Sequence, residues 1–338
     1  MYGRIVGQDR VEKMVNKSPE VEFKIRGAKA GFTTLLGMDN ERWWTANPVF
    51  VVHSYAPLVA GAPELAPFCW DTRHPLNAVG ATIQRFARDM PAPDEATVIE
   101  YRAFVEEYLP LLCPRVRPEN VPAFSDWLEK TNYSPARKAY LTKLRENIDK
   151  IDKNLLLNQS FGKAEVYPEF GKLMRAINSY SDDSKAVLGP LFHAVDKNLF
   201  ASRHFVKGTN PRSWPGTLKE LYGDRSVVGT DFTAFESHHV GHFAGVVHDW
   251  FEHSTADLDL PPQTRELVRT MMTGQNTIQF KELQVKCDTR LMSGALWTSS
   301  SNSFLNMTIN AFLSAKAHMP EGTAEELARW CHDDLVGL

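Results

Sequence analysis

Apolar residues recur at helical spacing along most of this chain. A helix over residues 96–109 would carry on one face the apolar side chains Val98, Tyr101, Phe104, Val105 and Leu109. The same periodicity predicts further helices over residues 77–88, 122–129, 136–151, 188–205, 240–253 and 263–272. Residues 277–292 alternate apolar and polar positions instead, which predicts a β-hairpin. The chain is therefore predicted to combine helices with paired strands.

Prolines and glycines indicate where these helices begin and end. Pro110 and the prolines that follow it are expected to end the helix over residues 96–109, because proline lacks the backbone N–H that a helix interior needs. Gly189 and Pro190 are expected to open the helix that runs to residue 205. A turn is predicted over residues 210–215.

An acidic residue follows a short apolar run in residues 227–236, which read VVGTDFTAFE. This pattern predicts a buried strand that delivers Asp231 to a strand-to-helix junction, with Glu236 in the first helical turn and facing the same cleft. A carboxylate at the open end of a buried strand is well placed to bind a divalent cation such as Mg²⁺. An aspartate in this position is nevertheless more often a helix cap or a turn residue.

A second polar block, residues 293–306, is a glycine-containing loop that leads into a helix. Thr298, Asn302 and Asn306 recur every four residues, so small hydrogen-bonding side chains line one face of that helix. A helix that only packs in a core would carry leucine or isoleucine there. The face is therefore a candidate binding surface.

Basic residues are concentrated in a third block, residues 161–198, which is predicted to form a strand, a turn and a returning strand or helix. Its cations are Lys163, Lys172, Arg175 and Lys185. Arginine and lysine are the side chains that bind the phosphates of a nucleoside triphosphate. Glu165 and Glu169 are expected to hold these cations in place through ion pairs. The other interpretation, a basic hairpin at the surface, stays open.

The three blocks together resemble motifs A, B and F of viral RNA-dependent RNA polymerases, in particular those of tombusvirus-like and related positive-strand RNA viruses. The matching residues are Asp231 and Glu236 for motif A, Ser293, Gly294, Thr298 and Asn302 for motif B, and Lys163, Glu165, Arg175 and Ile177-Asn178-Ser179 for motif F. The resemblance extends, with decreasing strength, from about Phe124 to the end of the chain. Glu236 departs from the aspartate that is commoner in the family.

This resemblance implies an α+β chain with the right-hand polymerase fold, in which the palm is incomplete and the thumb absent. It divides the chain into an N-terminal extension of unclear role (residues 1–70), fingers (71–222) and palm (223–338). Motif F would lie at about 161–190, motif A at 227–236 and motif B at 292–310. The chain would end at or just before motif C.

The resemblance also implies RNA-directed RNA polymerase activity by two-metal nucleotidyl transfer with Mg²⁺ or Mn²⁺. Asp231, Asp333 and Asp334 would be catalytic, with Asp231 as a metal ligand. Nucleotide binding would fall to Lys163, Arg175, Lys185, Glu236, Ser293, Gly294, Thr298 and Asn302. The implied partners are an RNA template, the nascent strand, NTPs and viral or host replication factors. The implied location is the host cytoplasm, at membrane-associated replication sites.

Motif C is the weakest match. Polymerases of this family normally carry Gly-Asp-Asp on a tight hairpin, whereas this chain offers His332-Asp333-Asp334 after residues 325–331, which read as a helix. The apolar residues 335–338 resemble the start of the strand that precedes motif C. We therefore expect His332-Asp333-Asp334 to be a helix end, with motif C beyond Leu338, and keep Asp333 and Asp334 as the alternative.

Charge and cysteine content change this interpretation little. The chain has 338 residues and a net charge of −3, which excludes no class of partner because a basic channel is a local property. The four cysteines form no CxxC pair, which argues against a zinc site and favours reduced thiols. The N-terminus lacks the apolar core of a signal peptide, and prolines interrupt the apolar residues 50–68, so no membrane-spanning segment is predicted.

Other interpretations remain. The chain could be a catalytically inactive, polymerase-like RNA-binding protein, or an unrelated cellular α+β protein with chance motif matches; a reverse transcriptase is disfavoured by Glu236 and Asn302. The helix over residues 136–151 would turn Tyr140 and Leu141 inward. Its exposed charges, Arg137, Lys138, Lys143 and Arg145, are better explained as a solvated face than as contacts to template phosphates.

Overall fold

The computed structural model of the chain describes residues 21–25, 51–54, 68–73, 77–78, 81–82, 86, 93–147, 153–167, 174–224, 228–232, 235–281, 283–287 and 289–335. Helices and strands are both present, so the predicted α+β class is confirmed. Glu169 and Lys172 lie outside the described residues.

Strands form two sheets. They are β1 (Val21–Ile25), β2 (Val51–Ser54), β3 (Phe68–Trp70), β4 (Leu157–Gly162), β5 (Val166–Tyr167), β6 (Ala176–Tyr180), β7 (Asn276–Gln279) and β8 (Leu283–Cys287). One sheet has five strands in the order β1-β8-β7-β4-β6, and the other has three in the order β2-β3-β5. Neighbouring strands are antiparallel except for β4 and β7, which run parallel. The predicted hairpin over residues 277–292 is confirmed by the β7–β8 pair.

Helices make up most of the rest. They are α1 (Glu95–Leu112), α2 (Phe124–Lys130), α3 (Pro135–Glu146), α4 (Asp182–Leu199), α5 (Trp214–Tyr222), α6 (Gly241–Ser254), α7 (Pro262–Thr273), α8 (Thr298–His318) and α9 (Ala324–Asp333). Asn77, Ala78, Ala81 and Thr82 are helical as predicted. No helix in the described part of the chain is both long enough and apolar enough to span a bilayer.

The predicted end of α1 at Pro110 was wrong, because the helix continues to Leu112. Proline at this position removes the hydrogen bond to the carbonyl four residues earlier, on Glu106. Glu106 is exposed, so water can solvate that carbonyl. The predicted apolar face of α1 is confirmed, since all five of its apolar residues are buried.

Helix α4 begins at Asp182, not at Gly189-Pro190 as predicted. The Ser181 side chain accepts a hydrogen bond from the backbone N–H of Ser184, which caps the first turn. Gly189 lies inside α4, where a β-carbon would overlap the indole ring of Trp127. The glycine therefore permits close packing of α4 on α2 and does not start the helix.

Helix α3 differs from its prediction in extent and in orientation. It ends at Glu146, and Tyr140 is 51% exposed, although Leu141 is fully buried as expected. Arg137 forms an ion pair with Asp182 at the start of α4, and Lys138 lies 3.6 Å from Glu129. Acidic neighbours in the protein thus account for two of the four charges on this helix.

The strand predicted to lead to Asp231 was also wrong over residues 228–231, and residue 227 lies outside the described residues. Residues 228–232 have no regular secondary structure, and Val228 is 88% exposed. A strand requires a neighbouring strand to satisfy its backbone groups. None of the described strands pairs with this segment, so apolar sequence alone does not bury it. Helix α5 precedes this segment. Residues 210–215 were predicted as a turn, but a short helix over residues 211–213 leads into α5, which begins at Trp214.

Helix α9 contributes its apolar face to the main core. Its predicted helical character is confirmed, and a capping box between Thr323 and Glu326 starts it. Leu327, Ala328 and Cys331 are buried, and α9 packs against α1 and α8. A second, smaller core forms between α2 and α3 around Trp127.

Candidate functional site

Two cations meet one carboxylate where β4, β5 and β6 come together. Nζ of Lys163 lies 2.7 Å from Oε2 of Glu165, and Nη1 of Arg175 lies 3.5 Å from the same oxygen. The hydroxyl of Tyr167 donates to Oε1 of Glu165 at 2.8 Å and accepts from the backbone N–H of Arg175 at 2.9 Å. The backbone N–H of Lys163 donates to the carbonyl of Arg175 at 2.8 Å. Glu165 therefore orients both cations, as predicted.

The electrostatics of this cluster keep Glu165 ionised. Burial raises the pKa of the carboxyl, but hydrogen bonds from Lys163 and Tyr167 and the charge of Arg175 outweigh it and lower the pKa below 4.5. The side chains of Lys163 and Arg175 remain 39% and 52% exposed. Their charged ends are thus held in position and are still open to an anionic ligand.

Lys185 belongs to a different cluster. Its Nζ lies 3.2 Å from Oδ1 of Asp182 in the first turn of α4, and Arg137 of α3 binds the same carboxylate. The side chain of Lys185 is 17% exposed. The structure thus brings together Lys163 and Arg175 and assigns Lys185 to the junction of α3 and α4.

The loop at Ser293-Gly294 binds the outer edge of β6. The backbone N–H of Gly294 donates to the carbonyl of Asn178 at 2.8 Å. The hydroxyl of Ser293 accepts from the backbone N–H of Asn178 at 3.1 Å and donates to the carbonyl of Ala176 at 3.2 Å. Strand β6 is the edge of the five-stranded sheet, and this loop satisfies its outward backbone groups. The two sequence blocks are thus joined directly.

Gly294 permits this close approach. A β-carbon at Gly294 would lie 2.9 Å from the carbonyl oxygen of Asn178 and 3.1 Å from Cβ of Ser179. Gly294→Ala should therefore push the loop away from β6 and lower the free energy of unfolding by about 1–2 kcal/mol. Urea denaturation monitored by tryptophan fluorescence measures this change.

Gly216→Ala is the matched control for that substitution. Nothing lies within 4 Å of a β-carbon at Gly216, which is inside α5. This variant should be as stable as the wild type or more stable by about 0.5–1 kcal/mol, since alanine favours helix. A Gly294→Ala protein with wild-type stability would show that the loop is not held against β6.

The side chains of Thr298 and Asn306 make hydrogen bonds to the loop before α8 and to a residue within α8. The hydroxyl of Thr298 lies 2.7 Å from the carbonyl oxygen of Met292 and 2.9 Å from that of Ala295, so it fastens the loop to the start of the helix. Oδ1 of Asn306 accepts from Nδ2 of Asn310 at 3.0 Å. The predicted polar face exists, and part of it is used for local structure.

Asn302 of the same helix contacts a buried histidine. Oδ1 of Asn302 lies 3.1 Å from Nε2 of His239, whose ring also contacts the ring of Phe235 at 5.3 Å between centroids. Burial lowers the pKa of His239 to about 3, although the hydrogen bond with Asn302 opposes this shift. His239 is not among the site residues predicted from the sequence, because its partner Asn302 lies 63 residues away along the chain.

A half-buried carboxyl, that of Asp196, links α4 to α8. The hydroxyl of Ser300 donates to Oδ1 of Asp196, and burial raises the pKa of Asp196 to about 6, against the hydrogen bond from Ser300 and the charge of Lys207. Sequence reasoning missed this pair. A signal was available in the sequence, because Asp196 is a carboxylate next to the apolar Val195 within a predicted helix.

The acidic residues assigned to catalysis, and Glu236 assigned to nucleotide binding, do not form a group that could hold a metal ion. Asp231 is exposed, and its Oδ1 accepts from the backbone N–H of Phe232 at 2.9 Å. Glu236 lies in a short helix over residues 235–238 and is half-buried. Asp333 and Asp334 are exposed at the end of α9, which matches the helix end expected there. Within the described residues, no three His, Cys, Asp or Glu side chains are grouped so that they could hold a metal ion.

Of the residues proposed as metal ligands, Asp231 stands alone in the block matched to motif A, whereas the blocks matched to motifs B and F are in direct contact. That donor set does not by itself fit a two-metal centre, since each Mg²⁺ requires several oxygen ligands. Neither the models of known protein families nor the curated proteins compared with this chain give a match.

Proposed function

We propose that this chain forms the fingers and palm of an RNA-directed RNA polymerase of a positive-strand RNA virus, with the right-hand polymerase fold. One observation carries the proposal: the Ser293-Gly294 loop is hydrogen-bonded to β6, although the two are 115 residues apart in the sequence. The polymerase resemblance requires these two blocks to serve one nucleotide. If the motif matches were due to chance, nothing would require these two segments to be in contact.

The order of groups along β6 supports a nucleotide at this place. Arg175 immediately precedes β6, and the loop binds β6 at Ala176 and Asn178. Phosphates at Lys163 and Arg175 would thus lie close to a sugar read from the loop and α8. Charge-assisted hydrogen bonds to the phosphates and neutral ones to the sugar match the chemistry of an NTP.

The magnesium or manganese of such an enzyme would be held by Asp231 and by acidic residues that the described chain does not place beside it. The resemblance would take these further ligands from a motif C hairpin. Asp333 and Asp334 are the alternative ligands, and α9 would have to unwind to provide them.

The partners that follow from this proposal are an RNA template, the nascent strand and NTPs, together with viral or host replication factors. Its place of action would be the host cytoplasm, at replication sites on membranes.

Nucleotide affinity tests the role of the paired cations. Arg175→Ala should weaken ATP binding by about tenfold, because one charge-assisted contact to a phosphate is lost while Glu165 and Lys163 stay. Isothermal titration of the protein with ATP in magnesium buffer measures the dissociation constant.

Arg115→Ala is the matched control for this measurement. Arg115 is 53% exposed and pairs with Asp257 at 2.9 Å, so it resembles Arg175 in exposure and in having a carboxylate partner. The control should bind ATP as the wild type does. Equal losses in the two variants would mean that the effect is general electrostatics, and the nucleotide site would have to lie elsewhere.

A catalytically inactive, polymerase-like RNA-binding protein is the second candidate. The observation that favours it is the lack of a grouped set of metal-binding side chains in the described residues. This candidate predicts the same ATP and RNA contacts without nucleotide incorporation, and the extension assays below separate the two.

A further inference from the structure

The amide of Asn302 is oriented by one neighbour. Its oxygen lies 3.1 Å from Nε2 of His239. Because an amide oxygen can only accept, Nε2 of His239 carries the hydrogen of this bond. The amide nitrogen of Asn302 donates to no protein acceptor within the described part of the chain, so it remains available to a ligand.

His239 is well suited to hold that amide in one orientation. The ring is buried, so the neutral form, which has one donor and one acceptor nitrogen, is the stable one. Phe235 contacts the ring edge to face, and Arg290, Met272 and Trp297 line the adjoining cavity. A ring packed in this way cannot turn freely, and the hydrogen on Nε2 keeps the amide from flipping.

We propose that His239 is a positioning residue for sugar selection: it holds the amide oxygen of Asn302 so that the amide nitrogen is presented to the ribose 2′-hydroxyl of the incoming nucleotide. This inference rests on the proposed function and adds a residue that none of the three motifs contains. A ribonucleotide offers the 2′-oxygen as an acceptor, whereas a 2′-deoxynucleotide leaves the amide hydrogen unpaired. Such an unpaired donor is the physical source of discrimination.

Two substitutions separate positioning from packing. His239→Phe keeps a ring of similar size and removes the donor, so the amide can flip. His239→Gln keeps an N–H donor on a side chain of similar length. We expect both proteins to fold, since each substitution fills the site without adding a charge. Circular dichroism and thermal unfolding verify this.

The readout is the ratio of dissociation constants for dATP and ATP, measured with magnesium by isothermal titration. The wild type should prefer ATP. His239→Phe should lower this ratio by about tenfold, which corresponds to one hydrogen bond, and His239→Gln should restore most of it. His242→Phe is the control, because His242 is exposed on α6 and should leave the ratio unchanged.

A wild-type ratio in His239→Phe would overturn the inference and leave the proposed function standing. A wild type that binds ATP and dATP equally well would overturn it too, because Asn302 would then read no hydroxyl. If the wild type binds neither nucleotide, the proposed function itself fails and the inference falls with it.

Discussion

Asp231→Ala should reduce RNA-directed extension by at least about a thousandfold, because a metal-bound transition state loses a ligand that no neighbour replaces. Asp231 is exposed, and among the described residues its carboxylate accepts a hydrogen bond only from the backbone N–H of Phe232, so its removal should not destabilise the fold. The measurement is primer extension on an RNA template by the protein expressed from the whole reading frame that encodes residues 1–338.

Asp224→Ala serves as the control for this assay. Asp224 is another exposed aspartate, just after α5, and its replacement should leave extension unchanged. Asp333→Ala distinguishes the two assignments of motif C. Loss of extension in that variant would identify α9 as the source of the metal ligands, whereas full extension by Asp231→Ala would remove motif A from the site.

Stability should depend on pH through Asp196. The folded state raises the pKa of this carboxyl from 3.8 to about 6, so between these values the folded state binds more protons than the unfolded state. The contribution of Asp196 to stability is therefore lost as the pH rises through this window, and it amounts to about 3 kcal/mol. Asp196→Asn should abolish this loss, because a neutral amide can still accept from Ser300.

The measurement is urea unfolding of the wild type and of Asp196→Asn at about pH 3, 5, 7 and 8. The variant should gain stability over the wild type as the pH rises. Asp126→Asn is the control, since Asp126 is exposed and also accepts from a serine hydroxyl, that of Ser125 at 3.3 Å. A pH-independent difference between Asp196→Asn and the wild type would show that the carboxyl is solvated.

The elements with a strong helical period could be predicted from the sequence. Helices α1, α6, α7 and α9 lie within two residues of their predicted bounds, except where α1 passes through Pro110. Their apolar faces are set by local spacing, which a linear pattern contains. The β7–β8 hairpin was predictable for the same reason, because its partners are neighbours in the chain.

The conformation of residues 228–231 was not predictable in this way. Their apolar residues fit a strand, but a strand needs a partner, and the partner is a property of the whole fold. The start of α4 was missed because Gly189 has two explanations, a helix start and a packing contact with Trp127. Only the structure distinguishes them.

The part of the candidate site that is formed by charged residues close together in the sequence could be predicted. Glu165 lies two residues from Lys163, and its role in holding Lys163 and Arg175 is confirmed by their contacts. Lys185 and His239 show the limit of that reasoning. Their partners, Asp182 for Lys185 and Asn302 for His239, depend on how helices and loops pack.

Template dependence tests the central claim most directly. The full-length protein, given labelled UTP and magnesium, should incorporate label on a poly(A) template and should incorporate none on poly(C) or without template. This result would establish RNA-directed RNA synthesis by the protein. Incorporation of UTP regardless of template, or none on poly(A), would contradict the proposal.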